Sequence, residues 1–365
     1  DKTARFWEMS PTGVDPAAED TFNVKTIAAY SPDGRFLISE GHSGILQHYD
    51  ADTGEIGLTL RSRDDFKCVA YSPNGLQIAT ASLKNEVKLW NTQSCAVEGI
   101  IQTKDAVSIV AYSPCGRWIA MRMAIEGVEV WDARSESSWH LCLGRPAVIS
   151  LAFSPHGLDL AVGFDNGDIR VWETSTWSCK MVINGDSERG ACVVYPPKSS
   201  HLAYHHKCGA TEISLYDEKG QTCRTILGRY WLEVERFAYS FCGLWILAVD
   251  RQVVHLWKST SDGMESDWAL ATTVETFFGN VREIAWRPNT TEFATASEDG
   301  SIRAWKVEEE SGKVSVRLLW GHGGTVLTAS KAVFVGSVGL STTNQDLLRQ
   351  RGANFWSSSS YSDGS

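Results

Sequence analysis

The sequence holds no apolar run approaching the ~18 residues that a membrane-spanning helix needs. It also has no G-x-x-x-x-G-K-S/T phosphate loop, no H-E-x-x-H pair, no EF-hand loop and no C-x-x-C. Nucleotide hydrolysis, zinc-peptidase chemistry, calcium switching and thioredoxin-like redox work therefore have no motif to rest on. Positive charge is short as well. Lys and Arg number 34 against 44 Asp and Glu, a formal net charge of −10 over 365 residues. A chain that grips phosphate backbones through its overall field would be basic, so neither nucleic acid nor an anionic membrane is expected as a partner. The opening residues Asp1 to Trp7 do not read as a signal peptide. The nine cysteines, an odd number without paired spacing, read as reduced thiols. Together these features set a cytoplasmic expectation.

What the sequence has is tryptophan, 15 residues of it, and a repeat. An apolar strand ends in a small residue and an aromatic one. A Ser-Pro-x-Gly turn follows, then an apolar strand, then an alternating strand that closes on Trp or Tyr. The first aromatic recurs at Tyr30, Tyr71, Tyr112, Phe153, Tyr195, Tyr239 and Trp286, in steps of 41, 41, 41, 42, 44 and 47. The closing aromatic recurs at Tyr49, Trp90, Trp131, Trp172, Tyr216, Trp257 and Trp305, in steps of 41, 41, 41, 44, 41 and 48. Two independent markers share one period, which makes the repeat architectural.

Each part has a physical reason. In Ser31-Pro32-Asp33-Gly34, proline presets φ and glycine accepts φ > 0, as a tight hairpin requires. Residues 72–75, 113–116 and 154–157 repeat the turn; Ser240-Phe241-Cys242-Gly243 keeps only its ends. Small residues before each first aromatic, such as Ala29, Ala70 and Ala111, suit strands that converge on an axis. Four short strands every ~40–45 residues describe a propeller blade.

These motifs resemble WD repeats over roughly residues 1–320, although only Trp131-Asp132 carries the name-giving dipeptide in place. The resemblance implies an all-β propeller. Seven blades is the first expectation; eight, with a seam blade built from both ends of the chain, is the alternative. Residues 1–16 read as a partial repeat or seam strand, 17–340 as the propeller, 341–354 as a short helical segment and 355–365 as a disordered tail. Trp7 is in register with Tyr49, and Ala332 to Val335 could supply seam strands from the other end. The stretch Val338-Gly339-Leu340-Ser341, with Asn344 and Leu347 to Ala353, resembles the tail of large fungal proteins that join a NACHT nucleotide-binding switch to WD repeats.

The family resemblance implies a non-catalytic platform for other proteins or peptides, as the sensor end of a larger signalling or innate-immune-like receptor; a small-molecule or peptide sensor at the central channel is the alternative. No metal or cofactor is expected. Gly185-Asp186-Ser187 lacks the rest of a hydrolase motif and reads as a turn, and His205-His206 with Cys208 reads as a polar hairpin, because adjacent side chains on a strand point apart. Propellers bind through the face carrying the loops before strand one and after strand two. Candidate contacts there are Glu40, His42, Lys84, Arg122, Met123, Phe164, Asp165, Arg251 and Glu298, Arg, Phe and Met being the better anchors. Trp118 and Trp245 occupy equivalent strand-two positions suited to packing between blades; Trp139, Trp177 and Trp231 fall near outer strands.

Overall fold

The computed structural model describes residues 28–322, with interruptions at 41–43, 63, 83, 126, 143–145, 186–189, 198, 200, 207–210, 217–221, 231–233, 261–267 and 276–278, and the strands 333–335 and 354–356. Its strands form seven four-stranded antiparallel sheets, each in simple sequence order. They are blades 1 (28–61), 2 (66–102), 3 (107–142), 4 (148–183), 5 (191–230), 6 (236–275) and 7 (281–322). The first strand of every blade touches the first strand of the next, and blade 7 touches blade 1. These seven strands surround an axis, and the chain is a seven-bladed β-propeller.

The hairpin after each first strand explains the Ser-Pro-x-Gly turn. Ser31 Oγ accepts from Phe36 N at 3.0 Å and donates to Asp33 Oδ1 at 2.6 Å. Gly34, at φ 72°, donates to Ser31 O at 2.8 Å. Ser72, Ser113, Ser154 and Ser240 make the same bond to the strand that follows. The turns also interlock. A Cβ on Gly75 would sit 3.7 Å from Pro32, one on Gly116 3.7 Å from Pro73, and one on Gly157 3.5 Å from Pro114. These three turns thus rest on the proline of the preceding blade.

The second residue of the WD-like dipeptide has a local task. Asp50 Oδ1 accepts from the backbone of Asp52 and Thr53, and Asn91 Oδ1 from Gln93 and Ser94. These bonds satisfy donors in the turn to the outer strand. Asp132 does so for Arg134 and also accepts a two-pronged bond from Arg117, which holds its carboxyl at a pKa of about 2.

Seven hydrophobic clusters hold the ring, one between each pair of neighbouring blades. Phe66 and Trp90 of blade 2, for example, bury against Ile38, Leu46 and Leu60 of blade 1. Every blade is therefore covered on both faces, and each large side chain buried this way contributes about 1.5–3 kcal/mol. Trp118 packs edge-on to Trp139 of its own blade at 5.3 Å and to Trp177 of blade 4 at 5.1 Å. Trp177 belongs to this inter-blade cluster rather than to a free rim.

Among the described residues Trp90 and Trp305 donate their indole hydrogens to strand-two threonines, Thr80 and Thr295, at 2.8 and 3.0 Å. Asp299 of blade 7 pairs with Arg303 at 3.2 Å, both side chains buried.

Blade 7 is complete within 281–322 and closes directly on blade 1, so no seam blade intervenes. Trp320 stacks on Tyr49 at 5.8 Å and donates its indole hydrogen to Ala51 O at 2.9 Å. Gly54 lies under that ring: a Cβ there would meet Trp320 at 2.7 Å. Arg287 takes the serine position of the turn and reaches across the seam, donating to Gly34 O at 2.7 Å and to Asp52 and Glu292 at 2.6 Å. Val333–Val335 pairs in parallel with Asn354–Trp356 and not with a blade, so Phe355 and Trp356 lie in a strand where composition reads as a tail. The seam strand sought in 1–16 and the helix sought in 341–354 lie outside the described residues, apart from Asn354.

Candidate binding site at the channel mouth

The inner strands run from one end of the channel to the other. They finish on the aromatic residues and the interlocked turns. They begin at the opposite end, beside the loops that follow the second strands. Near that beginning lies a cavity of about 690 Å³. Its wall comes from all seven blades and carries four cations, Lys67, Arg122, Arg236 and Arg282, and two carboxylates, Glu235 and Glu283.

The charges divide by side. On blades 6 and 7, Arg236 pairs with Glu283 at 3.4 Å and Arg282 with Glu235 at 3.5 Å. Arg282 also bonds Glu298 through Nε at 2.7 Å. Burial raises the pKa of Glu283, and Arg236 opposes the rise. Burial pushes Glu298 upward too, but hydrogen bonds from Arg282 and Asn280 outweigh it and leave the pKa lowered. On blade 3 the arrangement differs. Arg122 is half-buried, and no carboxylate among the described residues pairs with it. Burial depresses its pKa. Ser108, on the neighbouring strand, has a buried hydroxyl with no hydrogen-bond partner among the described residues.

The loop candidates meet different fates. Lys84 pairs with Asp64 at 2.8 Å, and Asp165 accepts from Ala147 N at 2.9 Å. Glu298 and Arg122 belong to the mouth. Arg251 is exposed, at φ 51°, and its carbonyl accepts from Val281 N at 2.7 Å. Glu40 ends the second strand of blade 1, half-buried. His42 lies outside the described residues.

Met123 and Phe164 are corrections. Each is the last residue of a second strand, 2% and 1% exposed, inside an inter-blade cluster. The apolar strand runs one residue further into the core than the loop reading allows. Met123 pairs with Val107 across a register shift that turns its side chain inward.

Sequence reasoning missed Lys67, Ser108, Glu235, Arg236, Arg282 and Glu283, because it searched loops. A signal was present: charge within otherwise small or apolar inner strands, as in Val281–Trp286. Such a residue has only the channel to face.

Among the described residues no group of three or more His, Cys, Asp or Glu gathers at metal-binding distance. His205 is buried edge-on to Phe237 at 6.1 Å. Cys208 and the Asp186-Ser187 step lie outside the described residues. Among the described residues no disulfide joins Cys68, Cys95, Cys115, Cys142, Cys179, Cys192 or Cys242.

Comparison with known proteins agrees with this geometry. Residues 55–91, 140–173 and 271–306 match the family described as WD domain, G-beta repeat. Each match starts at or near the outer strand of one blade and ends in or just after the third strand of the next. The sequence repeat is thus offset from the blade by one strand. The chain is 30% identical over 114 residues to the probable cytosolic iron-sulfur protein assembly protein 1 of Chaetomium globosum, covering 26% of this chain and 25% of that protein. The chain therefore aligns with about a quarter of that relative's length. The structure resembles the β-propeller domain of Cps50 (Swd1) from Myceliophteria thermophila, with a TM-score of 0.66 and 15% identity over 78% of this chain and 97% of that one. That likeness shows the fold.

Proposed function

We propose that this WD-repeat propeller is a non-catalytic platform that holds another protein by seating a peptide segment of it at the charged mouth of the channel. The observation that carries the reading is the asymmetry of the cavity wall: ion pairs on blades 6 and 7, and an uncompensated guanidinium with an unused hydroxyl on blade 3. Polar groups left without partners in a cavity are costly unless something supplies the missing bonds. Propeller scaffolds generally bind proteins, and among the described residues no catalytic constellation converges on this cavity. A finer role, as the sensor end of a signalling receptor of the NACHT type, rests on the resemblance of residues 338–353 alone. A cytoplasmic setting is in keeping with the relative's printed name.

The test is co-purification from native cytosol with two variants beside the wild type. Arg122→Glu with Arg282→Glu alters the mouth, while Leu76→Ser alters an exposed side chain next to the interlocked turns. A partner lost only with the mouth variant supports the reading; one retained by it and lost with Leu76→Ser contradicts it. A second reading, a small-molecule sensor, draws on the size of the cavity and predicts a melting shift with small acids in the absence of any protein partner.

A further inference from the structure

We infer that the mouth selects a peptide carrying an acidic side chain, whose carboxylate enters the cavity and pairs with Arg122 while Ser108 donates a further hydrogen bond. The inference rests on the peptide-binding reading above and names the chemistry of its occupant.

The argument starts from the cost of the empty arrangement. A guanidinium carries five donors in a planar fork and stays charged throughout the physiological range. Removing it partly from water without a counter-charge is unfavourable. The other three cations of the wall are engaged: Arg236 and Arg282 in ion pairs, and Lys67 in an interaction within the protein. Arg122 is the wall cation left over. Its strand neighbour Ile109 directly follows Ser108, so the fork and the free hydroxyl arise from adjacent positions on adjacent strands of blade 3.

The count of free cations decides the ligand. One uncompensated positive charge matches one negative charge. A carboxylate takes two parallel N–H bonds from a guanidinium and leaves a lone pair for a hydroxyl donor. A phosphoryl group carries about −1.5 to −2 at neutral pH and would need a second uncompensated cation, which the engaged partners of this wall do not provide. A basic side chain would meet Arg122 head-on, and the carboxylates that could receive it are already paired.

The setting sharpens selectivity. The chain as a whole is acidic, at −10, so a polyanionic partner is repelled as it nears the surface. Screening confines this to about 8 Å at physiological salt. A single acidic residue in a mostly neutral segment can therefore reach Arg122, whereas an acidic run is disfavoured.

The test is a positional-scanning array of nine-residue peptides, each position fixed in turn, probed with the full chain as wild type, R122Q and R122K. Aspartate or glutamate should be retained at one position at least about tenfold over asparagine or glutamine, the scale of a charge-assisted bond. R122Q should lose that preference and R122K keep part of it, with all three proteins melting alike. Retention of peptides without acid selection, or acid selection that survives in R122Q, overturns the inference and leaves the peptide-binding reading standing. So does a fixed phosphoserine preferred over both acids. An array that retains no peptide contradicts both.

Discussion

The two ends of the channel are built from the same seven strands and behave as opposites. At the end where the strands finish, the polar groups of the turns bond within the fold, although the buried hydroxyls of Tyr30, Tyr71, Tyr112 and Tyr239 have no hydrogen-bond partner among the described residues. Serine hydroxyls sit inside the turns, glycines rest on the prolines of the neighbouring blade, and Arg287 ties the seam. At the end where the strands begin, charge lines an open cavity, and Arg122 and Ser108 have no partner among the described residues. Hydrogen bonds inside the turns fix the fold at one end, while the other end differs in lining its cavity with charge. Stability and binding are in this way assigned to opposite ends of one set of strands.

Acid should break the comparison most strongly at the turn end. His48 lies buried there between Phe36 and Tyr71, with ring centroids at 6.1 and 6.0 Å. Its Nε2 has no hydrogen-bond partner among the described residues, and burial lowers its pKa from 6.5 to about 4. A histidine depressed in the folded state binds protons more readily when unfolded. Its contribution is therefore whole above about pH 6.5 and is lost as pH falls toward about 4, to a total of about 3 kcal/mol. Melting temperatures taken from pH 7 to pH 4 should fall less steeply for H48Q than for the wild type. Parallel profiles would show that His48 is not the acid-sensitive group.

Removing Arg287 should have the next largest effect. Its side chain is only 11% exposed and holds Gly34 O, Asp52 and Glu292 together. R287A should cost about 2 kcal/mol in urea unfolding and leave peptide retention unchanged.

The smallest effect on stability should come from the mouth. Arg282 is 44% exposed, and its pairs with Glu235 and Glu298 are bathed in solvent. R282A should lose under about 1 kcal/mol. It should also weaken acid selection at the array, because the carboxylates it releases are then free to compete for Arg122.

The turn end was legible because its chemistry is local. Ser-Pro-x-Gly states its own geometry within four residues, and the 41-residue step states the blade. The repeat alone allows seven blades or eight, because a closing strand can come from either end of a sequence. The burial of Trp320 against Tyr49 and Ala51, with Arg287 bonded across the seam, shows that blade 7 meets blade 1 directly. The mouth was mostly illegible for a different reason. Register shifts at Phe66/Cys68, Arg122/Met123, Val148/Ser150 and Val281/Glu283 change which residues face the axis. A strict period of two through the strand cannot follow such a bulge. Hence Arg122 was found as a loop residue, Met123 and Phe164 were placed outside a core they belong to, and Ser108 was missed.

The assignment of binding to one end and stability to the other is tested most directly by measuring thermal melting and peptide retention together on R122Q and R287A. The account predicts that R122Q melts with the wild type and loses acid selection, while R287A melts lower and keeps it. Loss of peptide retention in R287A with full retention in R122Q would contradict it.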